Sequence, residues 1–196
     1  MIYPETISKE ELAQLTKAVY HGNIVVVRDE ETLKKWLPKL QSESVVGFDT
    51  ETKPAFKKGE VNGIALLQLA TSDVALLIKV KEVGLPKILI DFLKNPNILK
   101  VGAAIHDDIK LLKKIKRFTP GGFIDLQTIV PELGITSVSV RKMSGIVLNL
   151  RVSKSQQLSN WDLPNLSEAQ QQYAATDAWV CQQIYLKLHS QNPQII

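Results

Sequence analysis

The chain has 196 residues, 44% of them hydrophobic and 22% charged, which supports one folded domain with a sizeable core and excludes an intrinsically disordered chain. No apolar run approaches the roughly 20 residues that cross a bilayer, and the opening MIYPETISKEELAQ is polar where a secretory signal is basic and then apolar; no membrane partner and a cytoplasmic location are expected. The single Cys181 excludes an intrachain disulfide and suits a reducing compartment, while the net charge of +4 mildly favours a polyanionic partner.

In chain order, residues 8–20 read as a helix, with Leu12, Leu15 and Val19 at helical spacing. NIVVV at 23–27 is a strand, EETLKKWLPKL at 30–40 a helix ending near Pro38, and VVGFDT at 45–50 a strand leading into a basic loop at 52–62. GIALLQLAT and VALLIKV are two strands joined by Thr71-Ser72-Asp73 as a hairpin. The pattern then alternates: PKILIDFLKN a helix, NILKVGAA a strand, HDDIKLLKKIKRF a helix, FIDLQTIVPELG a short strand running into a helix, and SVSVRKMSGIV at 137–147 another helix. The last helix, 167–189, opens with the capping box Ser167-x-x-Gln170. An antiparallel meander followed by strand–helix alternation predicts an α/β chain, one domain over 1–196, with a mixed sheet flanked by helices.

Three of these elements carry acid where apolar residues belong. Asp49 and Glu51 follow a buried strand and share a face, because side chains alternate along a strand. Asp177 lies in the stripe Tyr173, Asp177, Val180, Ile184, Leu188 of the last helix. Asp108 shares a helix face with Leu111, Leu112 and Ile115, while Asp107 faces the side of Lys110 and Lys114; a one-residue error in helix phase would exchange the two. Buried like charges repel, so such a group persists only if cations neutralise it. Carboxylate ligation without His or Cys suits hard ions, here Mg²⁺ or Mn²⁺, and a pair of such ions about 4 Å apart is the machinery of in-line phosphoryl displacement.

FDTE, KVGAAIHDDIKLL and YAATDAW resemble the three motifs of the DEDD 3′–5′ exonucleases, in the variant with a tyrosine four residues before the last aspartate. The resemblance covers about 24–189, and GEVNGIALLQLA and KSQQLSNWDLPNLSEAQQQYAATDA are most similar to the Werner-type exonuclease domain and its stand-alone bacterial relatives. It implies a ribonuclease H-like fold and removal of 5′-mononucleotides from a nucleic-acid 3′ end, DNA favoured and RNA an alternative. By the same resemblance Asp49, Glu51 and Asp177 hold the ion that activates water, Asp49 bridges to a second ion, Asp108 completes the shell through water, and Tyr173 orients the water. For the substrate, Lys53, Lys57, Lys58 and Trp161 are candidates, each with a bland alternative: a solvated loop for the lysines and a packing anchor for Trp161. Lys110, Lys113, Lys114, Lys116 and Arg117 read as a solvated helix face. A nucleic-acid-binding domain that has lost catalysis is the rival of another class. A dead copy would have no need to keep all four buried carboxylates.

Overall fold

The computed structural model describes residues 3–53 and 62–194 of the chain. Its centre is a six-stranded sheet built from β2 (Asn23–Val27), β3 (Val45–Thr52), β4 (Ile64–Ala70), β5 (Val74–Lys79), β6 (Leu99–Gly102) and β7 (Phe123–Asp125), in the order β2-β5-β4-β3-β6-β7. The hairpin β4–β5 and the β3–β4 pair are antiparallel, whereas β2–β5, β3–β6 and β6–β7 are parallel. The sheet is therefore mixed, as the meander-then-alternation pattern predicts. A separate parallel pair joins β1 (Thr16–Lys17) to β8 (Leu150–Arg151).

Both faces of the sheet are covered. On one face α2 (Glu30–Gln41), α4 (Lys87–Lys94) and α5 (His106–Ile115) pack Leu33, Leu37, Leu89, Phe92 and Leu112 against Val46, Phe48, Leu67, Leu69 and Leu76. On the other lies the long α8 (Glu168–Gln191), whose Ala174, Ala175 and Ala178 meet Leu66, Ala70 and Leu77. Burying one such Leu contributes about 1.5–3 kcal/mol. Strands sandwiched in this way read as continuous apolar runs, which is why all seven residues of β4 and all six of β5 are buried. Short elements complete the fold: α3 (Val80–Val83), α6 (Leu126–Ile129), a 3₁₀ turn Val130–Leu133, and α7 (Val140–Met143) continued by a π turn Ser144–Leu148. No helix of the described residues is long and apolar enough to cross a membrane.

Several elements differ from the sequence expectation. The first helix, α1, spans only Lys9–Gln14, closed at its start by a Ser8/Glu11 capping box; Leu15 is extended and Thr16–Lys17 pair with Leu150–Arg151 instead. Backbone pairing with a distant segment outcompetes the local helical periodicity there. α2 runs through Pro38 to Gln41, because Pro38 is on the exposed side and the carbonyl it leaves without a helical partner can face water. The expected helix over 137–147 starts at Val140, where the Ser139 side chain accepts from the Lys142 amide, and widens from Ser144 onward. α5 stops at Ile115, and Ile115 is 46% exposed rather than inward.

Candidate active site

β3 alternates cleanly. Val46 and Phe48 face α2, α4 and α5, so Gly47, Asp49 and Glu51 face α8. A Cβ at Gly47 would lie 1.9 Å from the Ala178 carbonyl oxygen, so only glycine lets the α8 backbone descend onto the strand at that point. Asp177, one residue earlier, is thereby brought beside Asp49. The small residues Ala174, Ala175 and Ala178 serve the same close approach.

Carboxylate oxygens of Asp49, Glu51 and Asp177 all lie within 4.8 Å of one another. Burial, then the charges of Asp177 and Asp108, push the Asp49 carboxyl well above its ordinary range. Burial likewise raises Glu51 to about 9, helped by Asp49, Asp177 and Asp108. Asp177 is raised to about 7 by burial, against the lowering effect of a hydrogen bond from Tyr173. None of the three is in an ion pair among the described residues, and the Asp177 Oδ1 is enclosed without a hydrogen-bond partner. Unneutralised buried carboxylates with a free oxygen are costly. The donor set is all oxygen and all anionic, and it fits a hard divalent cation.

Asp108 approaches from the opposite layer. Its Oδ1 accepts from the Thr50 hydroxyl, and it stands just outside the three-acid group; burial raises its carboxyl while the Thr50 bond opposes the rise. Asp107 is 83% exposed at its side chain and its Oδ1 lies 3.0 Å from the Lys110 Nζ, so the inward acid of this helix is Asp108. The start of α5 is held by a residue the sequence reading passed over. Ala104 has φ 59°, a left-handed conformation that alanine adopts at a cost of about 1–2 kcal/mol. The Asp125 carboxylate accepts from the Ala104 and Ile105 amides at 3.0 and 3.1 Å, and from Gln127 at 2.9 Å, pinning that turn. The sequence signal was an aspartate closing a short strand ahead of a helix.

Tyr173, one turn before Asp177, hydrogen-bonds to it and is raised above the ordinary phenol range by burial and by the charges of Asp177, Glu51 and Asp49. Its ring lies against Trp161 with centroids 5.9 Å apart. Trp161 itself is 0% exposed and its carbonyl accepts from the Lys79 Nζ at 2.8 Å, so it packs in the core beside Tyr173. Lys53 follows β3, with its carbonyl bonded to Asn62 Nδ2 at 3.0 Å, and does not line the cleft over the acids. Lys57 and Lys58 lie outside the described residues. Among the described residues, the cations that line the cleft are Arg141 and Lys154. This cleft, of about 290 Å³, is lined by Asp49, Glu51, Tyr173 and Asp177 together with Arg141 and Lys154. The sequence reading singled out neither: Arg141 falls within the helix expected over 137–147, and Lys154 in the stretch between that helix and the last one.

A protein-family model described as 3′–5′ exonuclease matches residues 24–192. Among curated proteins, human exonuclease 3′-5′ domain-containing protein 2 is 30% identical over 87% of this chain and 30% of its own length. The mouse bifunctional 3′-5′ exonuclease/ATP-dependent helicase WRN is 31% identical over 76% of this chain and 11% of its own length. The chain thus corresponds to about a third or less of these relatives. Among solved structures, Escherichia coli RNase D superposes with a TM-score of 0.78 at 22% identity, over 87% of this chain and 45% of that one, a likeness of fold alone. The fold is the ribonuclease H-like fold of these nucleases. With its acids, tyrosine and matched span taken together, the chain belongs to the DEDD 3′–5′ exonuclease family.

Proposed function

We propose that the protein is a metal-dependent 3′–5′ exonuclease that removes 5′-mononucleotides from DNA 3′ ends. The observation that carries this reading is the trio Asp49, Glu51 and Asp177, with oxygens within 4.8 Å of one another and no ion pair to any of them among the described residues. Asp49, Glu51 and Asp177 would hold the Mg²⁺ or Mn²⁺, a pair of ions being the reading that the family resemblance implies, with Asp108 completing the negative shell. When bound, these ions supply positive charge to the phosphate and make water acidic enough to attack near neutral pH. The chain's own groups do the rest. In the metal-free site, burial and the charges of Asp177, Glu51 and Asp49 hold the Tyr173 phenol in its protonated form, so that its hydroxyl can orient the attacking water. Water adds at phosphorus, the bond to the preceding 3′ oxygen breaks, and that oxygen takes a proton to become the new 3′-hydroxyl.

A second reading, trimming of RNA 3′ ends, is favoured by the relative named ribonuclease D in Haemophilus influenzae, 29% identical over 82% of this chain and 40% of its own length. Matched 5′-labelled DNA and RNA strands, incubated with Mn²⁺ or with chelator, test both. Progressive shortening of DNA in metal alone is expected. Shortening in chelator, or cutting of a circular single strand, would sink the exonuclease reading, and shortening of RNA alone would replace the substrate.

A further inference from the structure

We propose that Arg141 is a phosphate-binding residue of the cleft, holding the phosphate of the terminal nucleotide in the space it shares with the carboxylates. The proposal rests on the exonuclease reading for the identity of its ligand.

Arg141 lines the same cleft as Asp49, Glu51, Tyr173 and Asp177. Its side chain is half-buried, and its Nε is enclosed without a hydrogen-bond partner. It is in no ion pair among the described residues, although acids line the same cleft. An enclosed guanidinium nitrogen left unpaired costs stability unless a ligand uses it. The guanidinium is planar and always charged, and its forked donors match two phosphate oxygens at once. It is also rigidly mounted. Arg141 lies in α7, between the Ser139 cap and the fully buried Met143 and Ser144, and the Ser144 hydroxyl donates to the Leu150 carbonyl at 2.9 Å. Lys154 lines the same cleft but is exposed, and an ammonium on a flexible stem gives charge without direction. A cleft lined by both the acids and Arg141 would give a phosphate two kinds of partner: cations held by the acids, and donors from Arg141.

The test is binding of thymidine 5′-monophosphate and of thymidine, by calorimetry on the full chain with Mn²⁺, for the parent, Arg141→Gln and Arg141→Lys. The parent should prefer the monophosphate. Arg141→Gln should weaken monophosphate binding by about 10- to 100-fold, the range of a charged hydrogen bond, and leave thymidine and Mn²⁺ binding unchanged. Arg141→Lys should recover only part of the loss. Equal weakening for thymidine, or unchanged monophosphate binding in Arg141→Gln, would overturn the proposal, as would a parent that binds no monophosphate. None of these readouts needs turnover, so a failed strand-shortening assay would count against the exonuclease reading and not against Arg141.

Discussion

Tyr173 and the two aspartates of the second motif are where a single atom decides between structure and chemistry. If the Tyr173 hydroxyl served packing alone, Tyr173→Phe would shift stability by about 1 kcal/mol and leave turnover intact. Because it hydrogen-bonds to Asp177 over the acid group, the expected outcome is a 10- to 1000-fold loss of single-turnover rate, about the scale of one positioned polar group, with melting little changed. Asp107 and Asp108 differ by one residue and by everything around them. Asp108→Ala should remove most turnover, whereas Asp107→Ala, which deletes only a solvent-screened surface ion pair, should leave most of it. Rates for the two variants on one labelled strand check this; the reverse ranking would assign the inward role to the wrong acid.

At the scale of elements, the site is a meeting of β3, α5 and α8, and two small features set where they meet. Gly47→Ala would drive a methyl into the Ala178 carbonyl, a backbone group that no rotamer change can move aside. α8 must then lift, at a cost of at least about 1–3 kcal/mol, and Asp177 leaves Asp49. The expected result is a lower melting temperature together with loss of the Mn²⁺-induced rise; retention of that rise would mean the close approach is not what brings the acids together. Asp125→Ala removes the acceptor for three amides at the start of α5 and α6. It should destabilise by about 1–3 kcal/mol and slow turnover through Asp108, although Asp125 touches none of the three clustered acids.

For the whole molecule, the acid group makes stability depend on pH and metal together. A carboxyl whose folded pKa lies above its unfolded value near 4 adds stability below that value and loses it as pH rises through the folded one. Asp177 and Glu51, at about 7 and about 9, both have that sign, and Asp49 shares the direction. The metal-free melting temperature should therefore fall as pH goes from about 5 to about 9. Saturating Mn²⁺ should flatten or reverse the slope, because the ionised site binds it and binding stabilises the folded state. Asp49→Asn should weaken both the slope and the metal response while leaving the metal-free protein as stable or more so. Thermal denaturation in chelator and in Mn²⁺ at several pH values checks all three, and a flat metal-free profile would contradict the electrostatics.

Periodicity and local chemistry alone determined much of this protein. NIVVV is a strand over the residues its pattern marks, Ser167 and Gln170 do form the box that starts the last helix, and Thr71-Ser72-Asp73 does close an antiparallel hairpin. The acids were legible for the same reason: a charge in an apolar stripe contradicts its surroundings, and Asp49, Glu51, Asp108 and Asp177 each do so within a few residues of chain. What stayed hidden depends on contacts between residues far apart in sequence. The helical stripe over 8–20 cannot register that Thr16–Lys17 have a partner at Leu150–Arg151. Trp161 looks alike as an anchor or a stacking platform until the chain closes over it. Gly47 reads as one more strand residue until the Ala178 backbone comes down on it, and Arg141 as one more surface cation until α7 brings it to the cleft that the acids line. Local patterns state which groups need a partner; only tertiary structure, by fixing distances between separate elements, decides which partner each one meets.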